Sequence, residues 1–469
     1  MTLTQDVLPN DFIEQLRTAY PGLASLPFEH QFELTRMIWG ASIKGRFHKH
    51  FDDALSFHYA DLDEAFGRGG FSRINDQFQF FDVSTNWSAQ DGWTRGYRFS
   101  SKLEELFGSY QRACPAVTTL LRSNGTACRI PYKAIGSKDL RGSNATRWPS
   151  CPHLNQVPVS IGALEELRSE LLELLENSAA PERDHYKSRL NRWLSVTAFV
   201  LRMSLSTSAG RGYMAHRYIE AESGRLYAQG LSLQNAPRLV KTAALDGTWE
   251  YDFSNCHYTI FEQMCRRQGY NCVAIRDYLN AKNSVREAIA EKARISIAQA
   301  KECLIAIMYG ASTTLWHKNA IPMAIGVDAA KRLFSVPLFR ALREEIKGGT
   351  KAVLSSWPRQ QNGRLCNEVG KAIVPSARQM QKMAHLIQGV EARALKCALE
   401  LFPEEILLLQ HDGFAARSRL DTKAVSERVS EVTGYQLLLE EVRLRFANSD
   451  VGLMAQAEEL NENRKASEK

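Results

Sequence analysis

The chain has 469 residues, 44% of them hydrophobic and 24% charged, and a net charge of +7. That length holds roughly two to four domains with cores of their own, which excludes a disulfide-stapled miniprotein, and the composition excludes wholesale disorder. The modest basic excess suits a polyanionic partner without demanding one, no apolar run approaches the roughly 18 residues of a membrane span, and the first residues lack a signal peptide's basic start and apolar core. A cytoplasmic protein is expected, with its nine scattered cysteines kept as reduced thiols.

Residues 1–150 are rich in aromatics and punctuated by glycine, as in Phe66-Gly67-Arg68-Gly69-Gly70-Phe71, without a long periodic pattern. No Lys-Ser/Thr follows those glycines as a phosphate cradle requires, so they read as a surface turn. Asp61-Leu62-Asp63-Glu64 contains an Asp-x-Glu of the kind an exonuclease uses to hold metal, but it stands among acidic neighbours and reads as a solvated helix face. Cys114, Cys128, Cys151 and His153 form no CxxC knuckle and match no common zinc module, so ordinary thiols are expected there.

From Ile161 the pattern changes. Leu164, Leu167, Leu171 and Leu174 recur at three- and four-residue steps, predicting an amphipathic helix that ends near Asn177. After the breaker Ala179-Ala180-Pro181, a second helical stretch runs through Tyr186 to Met203, and the two make a helical hairpin. Thr248 to Phe253 reads as a strand, followed by a long helical region from about Tyr258 to Met308. Glu405 to Asp412 is a compact apolar run ending at Gly413, the pattern of a buried strand entering a tight turn. Tyr435–Leu439 and Val442–Phe446 read as further strands of the same sheet, and the charged tail after Ala455 as disordered.

Two aspartates, Asp252 and Asp412, end two of these strands. If the strands are neighbours the carboxylates converge, and paired carboxylates repel each other and favour hard divalent cations such as magnesium. Such a pair suits two-metal phosphoryl transfer, one ion activating an attacking hydroxyl and the other neutralising the leaving pyrophosphate. Taken singly, each aspartate is more often a turn or cap residue. Lys301 and Tyr309 are eight residues apart on the expected helix, within about 80° of one face, and Arg294 falls on the same stripe. Two cations and one ring in a row can bind triphosphate oxygens at one end and stack on a base at the other.

These residues resemble the family-A DNA polymerases, with the single-subunit phage-type RNA polymerases as more distant kin. Gly224-Arg225-Leu226 through Leu233-Gln234-Asn235-Ala236-Pro237 resembles the family's Gly-Arg-Leu…Leu-Gln-Asn-x-Pro stretch, which contacts the primer-template duplex. Asp252-Phe253-Ser254 resembles motif A, whose aspartate binds metal. Lys301 to Tyr309-Gly310 resembles motif B, where the lysine binds the triphosphate and the tyrosine closes over the templating position. His411-Asp412 resembles motif C, with the second metal ligand and a histidine near the primer terminus. Gln388-Gly389-Val390-Glu391-Ala392 resembles the Gln-Gly-x-x-Ala helix, whose glutamine touches the minor groove.

The resemblance spans about residues 222–446 and implies an α+β right-hand polymerase fold with an antiparallel palm sheet, helical fingers and a helical thumb, plus an N-terminal domain. Residues 1–155 would form that N-terminal domain of unassigned role, 156–221 the thumb-like region, 222–256 and 385–455 the palm, 257–384 the fingers, and 456–469 a disordered tail. It further implies a DNA polymerase without proofreading exonuclease, suited to a phage, plasmid or mobile element, with two Mg2+ ions (or Mn2+) on Asp252 and Asp412. Lys301, Arg294, Tyr309 and His257 would meet the nucleoside triphosphate, and Arg225, Gln234, Asn235, Gln388 and His411 the primer-template duplex. Three departures stand out: His257 where the family carries a glutamate that excludes the ribose 2′-hydroxyl, Ile297 in place of its motif B arginine, and Gly413 in place of an acidic residue that often follows the motif C aspartate. His257 leaves an RNA polymerase or primase open as a rival, and a catalytically dead nucleic-acid-binding palm is a second.

Overall fold

The computed structural model describes residues 7–44, 47–48, 51–84, 95–113, 119–127, 148–149, 151–177, 185–208, 210–360, 363–447 and 451. Cys114, Cys128 and the 456–469 tail lie outside them. The leucine stripe forms the helix Ile161–Asn177, with Leu164, Leu167 and Leu171 fully buried, and it packs against the helix His185–Arg202. The ends of this hairpin are stitched by an antiparallel three-stranded sheet that the sequence did not announce. Arg211–Ala215 is its middle strand, between Gln156–Ser160 and Ser204–Ser208.

Residues 10–112 carry helices where no period is legible, among them Asn10–Ala19, Phe28–Lys44 and Ser101–Arg112. Their aromatic residues pack on one another and on the hairpin: the Trp39 ring lies 5.0 Å from Phe107 and 5.1 Å from Phe199. Arg202, at the end of the hairpin's second helix, donates from Nη2 to the Tyr110 carbonyl at 2.6 Å and stacks over the Tyr110 ring at 3.6 Å. A boundary at 155/156 therefore falls inside one continuous hydrophobic core, which the N-terminal helices and the hairpin share. Asp61 to Glu64 lie on the helix Tyr59–Phe66 with Leu62 as its buried residue, and Asp63 accepts the Gly69 backbone N–H at 3.2 Å. His153 donates from Nε2 to the Ile406 carbonyl at 2.9 Å, and burial raises the Cys151 thiol to about 11, neither of which prepares a zinc ligand.

The second core surrounds a four-stranded antiparallel sheet in the order Ile406–Leu409, Gly413–Ala416, Trp249–Phe253, Leu439–Arg443. Side chains alternate across it. Tyr251, Leu409 and Phe414 enter this second core, while Leu408 and Ala415 join the core of the N-terminal region and the hairpin. Buried on both faces, the Ile406–Leu409 strand has no polar side to show, which is why it reads as an unbroken apolar run. Of the two strands expected near the C-terminus there is one, Leu439–Arg443; residues 435–438 lie outside it, with Gln436 bonded through its backbone to the Gln263 side chain and the Leu438 carbonyl accepting the Ser254 N–H at 2.8 Å.

The expected helical region from Tyr258 to Met308 is four helices: Cys256–Arg267, Val273–Asn280, Lys282–Ala293 and Ile297–Met308. The last opens with a capping box, in which Ser296 Oγ accepts the Gln299 N–H at 3.1 Å and Gln299 Oε1 accepts the Ser296 N–H at 2.8 Å. Helices Pro337–Ser356 and Gln379–Leu401 pack beneath, the latter carrying the Gln-Gly-x-x-Ala segment. Among the described residues no helix is long and apolar enough to cross a membrane.

Candidate active site

Asp252, on the strand Trp249–Phe253, and Asp412, in the turn that leads into the adjoining strand Gly413–Ala416, are far apart in the chain and close in space. Asp252 stands opposite Gly413 in the antiparallel register, and the Phe253 N–H donates to the Asp412 carbonyl at 2.9 Å. Tyr251 and Phe253 are buried on either side of Asp252, so alternation turns its carboxylate to the open face. Asp412 occupies the turn between its two strands, closed by Gln410 N–H donating to the Gly413 carbonyl at 2.8 Å. Gln410 is clamped in turn: Nε2 donates to Glu250 Oε1 at 2.8 Å and Oε1 accepts from Lys241 Nζ at 2.7 Å. A Cβ on residue 413 would meet the Tyr251 carbonyl oxygen at 2.1 Å. Only glycine lets the strands approach this closely, so the fold has no room for an acidic side chain at 413.

The charges at this spot are coupled. Crowding by protein pushes the Asp252 carboxyl up, to about 7, the Asp412 charge adds to the rise, and Lys301 opposes it; Glu440 and Glu250 contribute further repulsion. The Asp252 side chain still opens to solvent, so water screens part of the crowding. Glu440, paired with Asp252 across the other strand, is engaged elsewhere: Lys282 Nζ at 2.5 Å and Ser254 Oγ at 2.6 Å donate to it and hold its carboxyl below the usual range.

Lys301 is exposed on the helix Ile297–Met308, close enough that its charge offsets part of the Asp252 shift. Tyr309 caps that helix, its hydroxyl 3.1 Å from His257 Nε2 and its ring 5.4 Å from the imidazole in a T-shaped contact. Arg294 is not on the stripe. It terminates the preceding helix in the left-handed conformation, φ 54°, and points to solvent, so the continuous helical phase that would align it with Lys301 is broken before Ser296 starts a new one.

Beneath the aspartates lies a buried polar floor. Arg225 Nη2 is ion-paired with Glu391 Oε2, and the same oxygen accepts from His257 Nε2 at 2.8 Å. Glu391 has no solvent exposure. Burial opposes the Arg225 charge, but the Glu391 carboxylate outweighs it and keeps the guanidinium firmly protonated. Gln388 hydrogen-bonds the Tyr309 hydroxyl, whose own ionisation is pushed up mainly by burial. The His411 ring lies 4.7 Å from Tyr227 at a tilt of 53°, and burial, reinforced by the Arg225 charge, lowers the proton affinity of its imidazole.

Arg225 thus turns inward rather than presenting its charge to a duplex. Gln234 is also spent on the fold: Oε1 accepts from Ala228 N–H at 2.7 Å, and Nε2 donates to the Leu226 and Leu409 carbonyls, both at 3.0 Å. Asn235 is exposed but holds its own turn, accepting from Ser232 N–H at 2.9 Å and donating to the Gly230 carbonyl at 2.8 Å. Glu391 escaped the sequence reading as a site residue. Its signal is an acid four residues after Ile387 and four before Leu395, on the apolar stripe of its helix, a position where an unpaired carboxylate is costly.

Among the described residues no group of three or more His, Cys, Asp or Glu side chains is arranged to hold a metal ion. Two adjoining carboxylates, one with its proton affinity raised by the other's charge, nevertheless fit a magnesium ion that keeps several waters and takes its remaining ligands from a phosphate substrate. No family model and no curated protein matches the chain. Among solved structures it is similar to the POL domain of Pol1 from M. smegmatis in complex with DNA primer-template and dNTP, with 16% sequence identity and a TM-score of 0.43, covering 62% of this chain and 67% of that one.

Proposed function

We propose that the chain is a template-directed nucleotidyltransferase, a compact DNA polymerase with right-hand architecture that joins nucleoside triphosphates to a primer 3′-hydroxyl. The observation that carries this reading is the meeting of Asp252, on its strand, with Asp412, in the turn entering the neighbouring antiparallel strand, with the Lys301 cation close enough to act on Asp252. Asp252 and Asp412 would hold divalent ions, which when bound supply an activated 3′-hydroxyl and neutralise the leaving pyrophosphate. The chain's own residues do the rest. Lys301, on the exposed face of its helix, neutralises β- and γ-phosphate charge. Tyr309, at the end of that helix, borders the base, and His257 packs beside it. Gln388 and His411 line the floor toward the duplex, where backbone phosphates would provide most of the grip.

The rival within the same chemistry, an RNA polymerase or primase, draws on one observation: His257, in contact with Glu391 and Tyr309, stands where the resemblance has a glutamate that excludes the ribose 2′-hydroxyl. A labelled-primer extension assay with magnesium decides, using dNTPs, NTPs and a no-primer arm. Extension with dNTPs is expected, and Asp252→Ala and Asp412→Ala abolish it. Incorporation of NTPs alone would replace the DNA polymerase assignment. Duplex binding with no incorporation under any condition would leave an inactive nucleic-acid-binding palm.

A further inference from the structure

Lys301 and Tyr309 are two turns of helix apart, about 12 Å at 1.5 Å per residue. On the reading above, on which this inference rests, a nucleotide lying along that helix has its triphosphate at Lys301, its base toward Tyr309 and its sugar between. His257 follows the Asp252 strand by a few residues, enters the next helix and touches Tyr309, so its ring borders the place of the sugar. An imidazole left to itself turns about two side-chain bonds. This one is held at a single nitrogen: Nε2 lies 2.8 Å from Glu391 Oε2 and 2.7 Å from Arg225 Nη2, and the Tyr309 ring flanks the imidazole. Of these, Glu391 is the fixed point. It is wholly buried and ion-paired with Arg225, so moving it would strand two opposite charges without partners. With its proton on Nε2 the ring donates to the carboxylate, and Arg225, a donor only, then gives its Nη2 hydrogens to Glu391 and not to the ring.

We propose that Glu391 is a positioning residue for nucleotide-sugar selection: its carboxylate holds the His257 ring as the wall that shuts out a ribose 2′-hydroxyl. The carboxylate comes from the Gln379–Leu401 helix rather than from the segment after Asp252, and it acts through the imidazole without touching the nucleotide.

The experiment is single-nucleotide primer extension, measuring kcat/KM for a dNTP and the matching NTP with the wild type, Glu391→Gln, His257→Ala and the double variant, alongside their melting temperatures. Glu391→Gln keeps the shape and removes the charge. The expected dNTP-over-NTP preference falls about tenfold in each single variant, the scale of one lost charge-assisted hydrogen bond, and falls no further in the double variant. An unchanged ratio in Glu391→Gln beside an altered one in His257→Ala overturns the proposal, as do additive effects, because a merely structural role lowers all rates without moving the ratio. If Glu391→Gln fails to fold, Glu391→Asp, which withdraws the carboxylate by one methylene, replaces it in the same comparison. A wild type that extends with both sugars equally overturns the wall and leaves the polymerase reading intact; a wild type that incorporates no nucleotide fails that reading and the wall with it.

Discussion

Replacing Asp252 by asparagine should stabilise the metal-free protein while destroying its activity. The carboxyl is raised from 3.8 to about 7, by crowding first and by Asp412 second, so the folded state resists its ionisation. For an acid raised in this way, the unfolded chain gives up its proton at lower pH than the folded one, and stability falls as pH climbs from about 4 through about 7. At 1.36 kcal/mol per pH unit the full shift is worth about 4 kcal/mol, but the exposed side chain is screened by solvent, and about 1 kcal/mol is the defensible share. In EDTA at pH 8, Asp252→Asn should therefore melt about 2 °C higher than wild type. At pH 3 the difference should vanish, since the Asp252 carboxyl is then neutral in the folded and the unfolded chain alike. Magnesium at about ten times its dissociation constant should restore about 1.4 kcal/mol to the wild type and nothing to the variant. Thermal denaturation followed by circular dichroism, at both pH values and with and without magnesium, reads all of this, and primer extension reads the lost activity. A variant that melts lower than wild type at pH 8, or that gains the same stabilisation from magnesium, refutes the account of the paired carboxylates.

Gly413→Ala should cost about 2 to 3 kcal/mol in urea denaturation and abolish extension, because the new Cβ meets the Tyr251 carbonyl oxygen at 2.1 Å and spreads the strands that carry the aspartates; wild-type stability in that variant contradicts the register. Lys301→Ala should lower kcat/KM for nucleotide by about a hundredfold and, with the opposing cation gone, move the acidic limb of the rate profile to higher pH; an unshifted limb separates Lys301 from Asp252. His216 is fully buried, its Nε2 accepts the Leu233 N–H at 3.2 Å, and burial lowers it to about 3, so the unfolded chain takes up a proton near pH 6.5 that the folded chain refuses. Stability should fall from pH 6.5 downward, by about 2 kcal/mol at pH 5, and His216→Gln, which keeps an acceptor and cannot titrate, should lose that much less over the same interval. Equal losses in the two proteins would show that the imidazole does not drive the acid sensitivity.

Local order in this protein is written in local pattern. The leucine spacing at 164, 167 and 171 marks the helix Ile161–Asn177 to its last residue, and the apolar run before Gly413 marks a strand buried on both faces, because a periodic apolar stripe has one geometry in which it can be buried. Lys301 stands on the helix Ile297–Met308 and Tyr309 caps it. Arg294 shows where that reasoning ends: the stripe holds only while the helix is unbroken, and a left-handed residue with a new capping box resets the phase. The aromatic N-terminal stretch hid its helices because their buried residues answer to neighbours in the hairpin rather than to a period of their own.

Which strands adjoin, and which charges share one oxygen, depends on distances that no neighbouring residue encodes. Asp252 could be recognised as a strand-end carboxylate, but its elevated proton affinity comes from its burial in the fold and, after that, from the Asp412 charge brought beside it. Glu391 looked like one more acid on a helix, and burial beside Arg225 and His257 made it an anchor. Periodicity and capping are set by covalent neighbours, so the amino-acid order determined the elements; electrostatic coupling falls off with distance through space, so the packed tertiary structure alone decided the site.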